Sequence, residues 1–235
     1  MKASSFIALP GIAAVVIVAA GTSVMLHPRS RAALAPAPVL YAGIPAEIIN
    51  SAANALLADV KRRAADDDAV PPFARERIAW LTSEQRSGTL SITLLSHPDT
   101  ANLSPDALMA SGDVDGRQVI VISRPRLAAI LAETGGLSQP FSRRQRNDFL
   151  LGLVHETVHL ERRHVEPDPT LGDRLDEEER AWRTVDGRVV RPLLAHDEPM
   201  DPQFLDADRA LRSCGDTPPC QPLRTLLAQS ESGRR

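Results

Sequence analysis

Residues 142–164 read SRRQRNDFLLGLVHETVHLERRH and contain the pattern His-Glu-X-X-His at His155, Glu156 and His159. Apolar positions recur on one side of this stretch at helical spacing, and Ser142 is a suitable N-cap, so we predict a helix here. Histidines four residues apart lie one above the other on a helix face, so both imidazoles can reach one metal ion. Glu156 lies beside them, where it can act as a general base on water. The stretch therefore predicts the centre of a zinc hydrolase.

A third metal ligand has to come from another part of the chain. His164 follows His155 by nine residues, whereas the extended pattern with three histidines needs ten and an intervening glycine, so we exclude it. The acidic run Asp176-Glu177-Glu178-Glu179 predicts a new helix, with its first and last members as a capping box. Eighteen residues separate His159 from Glu178, which is enough for this helix to fold back across the first. We predict Glu178 as the third ligand; the alternatives are Glu177, and after it Asp173 or Asp176.

With these residues the chain resembles the gluzincin group of zinc metallopeptidases, which pair His-Glu-X-X-His with a glutamate in a Glu-X-X-Ala context on a later helix. The resemblance covers about residues 142–185. It departs at Trp182, where the group often has an aspartate that steadies a histidine ligand. The matching residues are His155, Glu156, His159 and Glu178-Glu179-Arg180-Ala181.

The resemblance implies a peptidase in which His155, His159 and Glu178 hold Zn²⁺. Glu156 would take a proton from the attacking water and pass it to the leaving amine. The developing oxyanion needs a further donor, and His196 or a nearby arginine is the candidate. The substrate would be a peptide or protein, and the strand predicted at residues 118–123 would lie along the cleft and pair with it.

The chain order predicts an α+β fold, which the resemblance makes zincin-like: a short β-sheet packed against the active-site helix, with further helices after it. Within that helix, we hypothesise that Gly152 leaves room beside the site. The predicted strands are Thr89–Leu95 and Gln118–Ser123. The other predicted helices cover residues 46–65, 73–81, 125–133, 201–212 and 221–229.

The N-terminal region predicts export. Phe6 to Leu26 are 21 uncharged, mostly apolar residues, typical of a signal peptide or a membrane anchor. We therefore divide the chain into a leader (1–26), a linker rich in proline and alanine (27–45) and one metallopeptidase domain (46–235). The expected location is extracytoplasmic, periplasmic or secreted, with a possible tether to the inner membrane through the leader.

Two further features bear on the environment and the partners. Cys214 and Cys220 flank a short loop with turn-forming residues, and in an exported protein they are expected to form a disulfide. The net charge of −3 and a pI near 6.1, without a basic stripe, argue against a nucleic-acid partner.

Two other functions are compatible with the same residues. One is a non-catalytic exported or envelope protein in which the His-Glu-X-X-His helix is structural or accidental. The other keeps the zinc but cleaves an amide or ester that is not a peptide bond. Metal content and the effect of Glu156→Gln distinguish these functions.

Overall fold

The computed structural model describes residues 40–41, 43–95, 107–114, 116–133, 141–161 and 170–232. Within them the fold is α+β, as predicted, with a small three-stranded sheet among helices. The strands are β1 (Leu40–Tyr41), β2 (Ile44–Pro45), β3 (Leu90–Leu95), β4 (Met109–Val114) and β5 (Arg117–Ser123). The helices are α1 (Ala46–Asp66), α2 (Pro72–Ser87), α3 (Arg124–Glu133), α4 (Arg143–Glu161), α5 (Leu171–Val185), α6 (Arg191–Ala195), α7 (Pro202–Cys214) and α8 (Gln221–Ser232).

The N-terminal leader, and the linker up to residue 39, lie outside the described residues. The last residues of the predicted linker form the short antiparallel pair β1–β2, in which Tyr41 is opposite Ile44. Both side chains pack against the hydrophobic core. In the described part of the chain, no helix combines the length and the apolar character that crossing a membrane requires.

The three-stranded sheet has the order β3-β5-β4, with β5 in the centre. Strand β3 runs parallel to β5 and β4 runs antiparallel to it. The two predicted strands are confirmed, but the prediction that residues 118–123 pair with a substrate is wrong. Both edges of β5 are already bonded along these residues, so its backbone has no free edge. The strand next to the active-site helix is β4, which the sequence analysis did not predict.

Helix α4 is the central helix and packs against α1, α2, α5 and β4. Its predicted apolar face is confirmed, and the aliphatic side chains of that face are all almost completely buried: Leu150, Leu151, Val154 and Val158. Truncation of one such leucine to alanine costs about 2–5 kcal/mol of stability, because both transfer energy and packing are lost. The backbone of the His-Glu-X-X-His segment is therefore fixed by the core behind it.

A buried polar network holds the first half of α4 in place. Asn147, which is fully buried, accepts a hydrogen bond from Arg63 at 3.1 Å. Its amide donates to Glu198 Oε2 at 3.0 Å and to the carbonyl of Pro199 at 2.8 Å. These bonds join α4 to α1 and to the segment before α7. They satisfy groups that would cost free energy if they were buried without a partner.

Gly152 lies at the contact between α4 and β4. A Cβ at this position would lie 3.4 Å from Met109 Sδ, an ordinary van der Waals contact, so a methyl group would fit between the helix and the strand. Met109 bounds the space beside Gly152, and a use of that space by the site stays a prediction from the sequence. Residues three and four positions later on the same helix face are His155 and Glu156. Strand β4 therefore lies along the face that carries the motif.

The C-terminal third contains more helix than predicted. Residues 189–199, for which no helix is predicted above, include the end of a π-helical turn, Asp186–Val190, and helix α6. The helices predicted at 201–212 and 221–229 are confirmed as α7 and α8. The disulfide between Cys214 and Cys220 is present and closes the loop between them.

Candidate metal centre

The two histidines of the motif are held by a helix with a well-defined start. Ser142 and Gln145 form a capping box at the N-terminus of α4. The Ser142 hydroxyl accepts from the Gln145 amide at 3.2 Å, and the Gln145 side chain accepts from the Ser142 amide at 2.8 Å. With its start and its buried back fixed, α4 presents His155 and His159 on one face, each largely but not fully buried.

The helix that carries the acidic run begins earlier than predicted. Helix α5 starts at Leu171, and its capping box is formed by Thr170 and Asp173. The predicted box of Asp176 and Glu179 is therefore wrong, because both residues are already inside the helix. As a result Glu178 lies in the second turn of α5, opposite the motif.

Three side chains converge where the two helices face each other: His155, His159 and Glu178. The two Nε2 atoms of the histidines are 3.0 Å apart. The Glu178 carboxylate lies 3.3 Å from Nε2 of His155 and 3.4 Å from Nε2 of His159, through its two oxygens. A tetrahedral zinc with bonds of about 2.0–2.1 Å separates its ligand atoms by about 3.3 Å. The spacing of these donor atoms therefore fits one zinc ion.

Glu177 contacts the opposite side of the His159 ring. Its Oε1 lies 3.1 Å from Nδ1 of His159, the nitrogen that faces away from Glu178. Glu177 is the first alternative ligand of the sequence analysis, and the structure places it on a different nitrogen from Glu178. A carboxylate on the far nitrogen of a metal-binding histidine is a recurrent feature of zinc sites.

His155 has an aromatic neighbour in place of a carboxylate. The Trp182 ring lies with its centroid 5.1 Å from that of His155, and Phe204 lies 5.5 Å beyond it. Nδ1 of His155 is buried, and it has no hydrogen-bond partner among the described residues. The aspartate that the resemblance leads one to expect at residue 182 is thus replaced by a ring that covers His155.

Glu156 is buried, with 8 % of its surface exposed. In the described part of the chain it makes neither a hydrogen bond nor an ion pair. Its negative charge contributes, after Glu177 and Glu178, to raising the pKa of His159. A carboxylate that no described side chain engages suits a base that receives a proton during a reaction.

The charges of the cluster favour a cation. Burial opposes protonation of His159, but the carboxylates of Glu177 and Glu178 outweigh burial and raise its pKa to about 10. Burial raises the pKa of Glu178, yet His155 and His159 hold it well below the usual range. Within the described residues, neither glutamate forms an ion pair with an arginine or a lysine. A proton on His159 supplies the positive charge that a metal ion would otherwise provide.

The remaining candidate ligands have other partners. Asp173 belongs to the capping box of α5. Asp176 forms an ion pair with Arg224. Glu179 is buried, with 1 % of its surface exposed, and is bonded to Arg183 and Arg224. The structure thus brings only Glu178 to the two histidine nitrogens among the described acidic residues.

The described hydrogen bonds of His196 do not involve the three converging side chains. It is exposed in the turn that follows α6, where its backbone amide donates to the carbonyl of Leu193 at 3.0 Å. No hydrogen bond or ion pair links its side chain to the cluster within the described ranges. Its role as an oxyanion donor stays a prediction from the sequence.

The donor set is two imidazole nitrogens and a carboxylate, with a second carboxylate nearby that forms no ion pair with an arginine or lysine of the described residues. This composition is the one that catalytic zinc sites use, with one position left for water or substrate. No family model matches this chain, and the searches of curated proteins and of solved structures gave no match either.

Proposed function

We propose that the chain is a zinc-dependent hydrolase of gluzincin-like type that cleaves peptide bonds. The observation that carries the proposal is the convergence of three donor groups without a permanent cation among the described residues: two Nε2 atoms 3.0 Å apart and the Glu178 carboxylate beside both. Two neutral imidazoles and one carboxylate suit zinc better than calcium or magnesium, which prefer oxygen ligands.

In this proposal His155, His159 and Glu178 hold the metal. Zinc, when bound, supplies Lewis-acid polarisation and makes a water acidic near neutral pH. Glu156 accepts the proton of the attacking water and delivers it to the nitrogen that leaves, a role supported by its place between the two histidines and by its lack of a partner among the described residues. Trp182 and Phe204 cover His155 and limit the access of bulk water to that side.

The position of β4 supports a peptide as the substrate. This strand is an edge of the sheet, and no described strand pairs with its outer side. It packs on α4 through Met109 and Gly152, on the face that carries His155 and Glu156. An extended peptide that adds to this edge would lie beside the cluster, with main-chain bonds for affinity. The leader and the disulfide support an extracytoplasmic location.

Metal content and turnover of the purified full chain test the proposal. We expect one zinc per chain in the wild type and in Glu156→Gln. Loss of the base should reduce hydrolysis of a peptide panel by about 10²–10⁴-fold. His155→Ala should lose the zinc, whereas His196→Ala, a matched change of an exposed histidine, should keep it.

A second readout is independent of turnover. Trp182 adjoins His155, and in a Trp80→Phe background it is the only tryptophan of the chain. Addition of Co²⁺ to this variant should quench the fluorescence, and His155→Ala should abolish the response. A wild-type chain that binds no zinc would refute the enzyme reading and favour a non-catalytic protein. Zinc binding with cleavage of esters or other amides, but of no peptide, would change the substrate class.

A further inference from the structure

The two histidines of the cluster differ in what lies behind them. Nδ1 of His159 lies 3.1 Å from Glu177 Oε1, whereas Nδ1 of His155 is buried without a hydrogen-bond partner among the described residues. Only one of the two imidazoles is therefore oriented by a carboxylate. This asymmetry is a property of the chain itself and does not depend on which bond is cleaved.

An ionised carboxylate only accepts hydrogen bonds, so Nδ1 of His159 must carry the hydrogen. In the neutral ring, the lone pair is then on Nε2, the nitrogen that faces His155 and Glu178. Without the carboxylate, the neutral imidazole could place its hydrogen on Nε2 instead. That tautomer would point a hydrogen at the centre of the cluster and could not bind a metal there.

We propose that Glu177 is a positioning residue that fixes the tautomer and the ring orientation of His159, so that its Nε2 is available to the metal. The inference rests on the proposed function, because it assigns a role toward the metal held by His155, His159 and Glu178. It also explains how a chain with Trp182 in place of an aspartate still orients one histidine. The oriented histidine is His159, and the carboxylate is the neighbour of the ligand Glu178 on α5.

Geometry favours this role for Glu177 over direct ligation. Adjacent residues on a helix point about 100° apart, and Glu177 lies at Nδ1 of His159 whereas Glu178 lies at Nε2. The Glu177 side chain is 51 % exposed, whereas that of Glu178 is 38 % exposed and lies beside both Nε2 atoms. Because the Glu177 side chain is partly exposed, its bond to His159 is weakened by solvent. We therefore expect removal of Glu177 to reduce zinc affinity by an amount at the low end of the range for such contacts.

The test compares Glu177→Ala and Glu177→Gln with wild type in the full chain. Zinc affinity is measured by competition with a chromogenic chelator at one pH. Glu177→Ala should weaken zinc binding about tenfold, and Glu177→Gln, which keeps an acceptor oxygen, should recover part of that loss. Glu76→Ala, which removes an exposed glutamate from α2, is the matched control and should bind zinc as wild type does.

Nitrogen-15 NMR of the histidine rings in the zinc-loaded chain gives a readout that a general structural role would not move. We expect Nδ1 of His159 to carry the hydrogen in wild type. Zinc affinity of Glu177→Ala within twofold of wild type would overturn the inference while leaving the proposed function intact. A hydrogen on Nε2 of His159 would overturn the inference and also the assignment of His159 as a ligand through that nitrogen. A wild-type chain without zinc would instead refute the proposed function itself.

Discussion

Helix α5 carries acidic residues on two faces, and their partners differ. The histidine face consists of Glu177 and Glu178, whose contacts are the ring nitrogens of α4. The arginine face consists of Asp176 and Glu179, which Arg224 bridges. Guanidinium groups stay charged at all ordinary pH values, whereas histidines give up their proton to a metal. The carboxylates of the arginine face therefore stabilise the fold, whereas those of the histidine face are available to an ion.

The arginine face joins three parts of the chain. Glu179 accepts from Arg183 at 3.0 Å, from Arg224 on α8 at 2.9 Å and from the backbone amide of Cys220 at 2.9 Å. Arg183 in turn donates to the carbonyl of Gly215 in the disulfide loop at 2.7 Å. All these charges are paired, so this face needs no ligand. The histidine face has the opposite character: its negative charge exceeds its permanent positive charge.

The largest expected effect is the loss of metal from Glu178→Gln. Removal of one of three protein ligands should weaken zinc binding by about 10³-fold, roughly 4 kcal/mol, since structural zinc sites provide about 10–16 kcal/mol in total. The unfolding free energy of the metal-free chain should change little. Chelator competition and urea denaturation measure the two quantities. Zinc affinity equal to that of wild type would exclude Glu178 as a ligand.

Glu179→Ala changes the residue next to Glu178 and should have the reverse effect, a loss of stability with zinc affinity retained. Loss of a buried carboxylate leaves Arg183 and Arg224 without their shared partner, which costs about 3 kcal/mol of stability. Urea denaturation of the metal-free chain measures this loss. Zinc affinity under conditions in which the variant is folded should stay close to that of wild type. If stability were unchanged and zinc were lost instead, the distinction between the two faces would be incorrect.

Reduction of the disulfide should cost about 2 kcal/mol, the value that the loop entropy of so short a closed segment predicts. Cys214 and Cys220 bound the loop that contacts Glu179 and Arg183, so the effect should fall on the arginine face. Thermal unfolding with and without a reducing agent gives the difference. The double variant Cys214→Ser, Cys220→Ser should reproduce it without reductant, and zinc affinity should be unaffected in both cases.

The smallest effect per step is the pH dependence of zinc binding. The pKa of His159 is raised to about 10 in the metal-free chain, so zinc has to displace one proton below that pH. Zinc affinity should rise about tenfold for each pH unit between pH 7 and 9, which corresponds to about 1.4 kcal/mol. Calorimetry in buffers of different ionisation enthalpy should find about one proton released.

The unfolding free energy of the metal-free chain should change with pH in the opposite direction to zinc affinity, falling as the pH rises. The pKa of His159 is higher in the folded chain than its ordinary value of 6.5, so protonation stabilises the folded state. This contribution is complete below about pH 6.5 and is lost as the pH rises toward 10. Zinc affinity that did not change with pH would show that no proton competes with the metal.

The motif could be predicted from sequence because its geometry is local. The spacing of His155 and His159 on one helix fixes their common face, and the aliphatic positions behind them fix which side is buried. The disulfide was predicted from a short loop and an expected compartment. Strand β4 was not predicted, because MASGDV contains a glycine and polar residues that weaken a strand pattern. It forms through its ladder with β5, which is a tertiary contact.

The division of the acidic run could not be predicted either. Glu177, Glu178 and Glu179 are chemically identical, and their partners come from distant positions. Cys220 is 41 residues away from Glu179, and Arg224 is 45 residues away. Without these contacts, the acidic run has the composition of a helix start, and the sequence alone therefore predicts one there. The true start at Thr170 was missed because its capping residue is Asp173, not the glutamate or glutamine of the usual pattern.

The capping box at Thr170 has a consequence for how the chain can vary. It fixes the residue at which α5 begins, and therefore the direction in which each later side chain leaves the helix axis. Each residue inserted after it would turn the following side chains by about 100° around that axis. One insertion between Asp173 and Glu177 would move Glu177 to the direction that Glu178 now takes, without replacing any side chain of the run. The number of residues between Thr170 and Glu178 therefore decides which glutamate faces the two histidines.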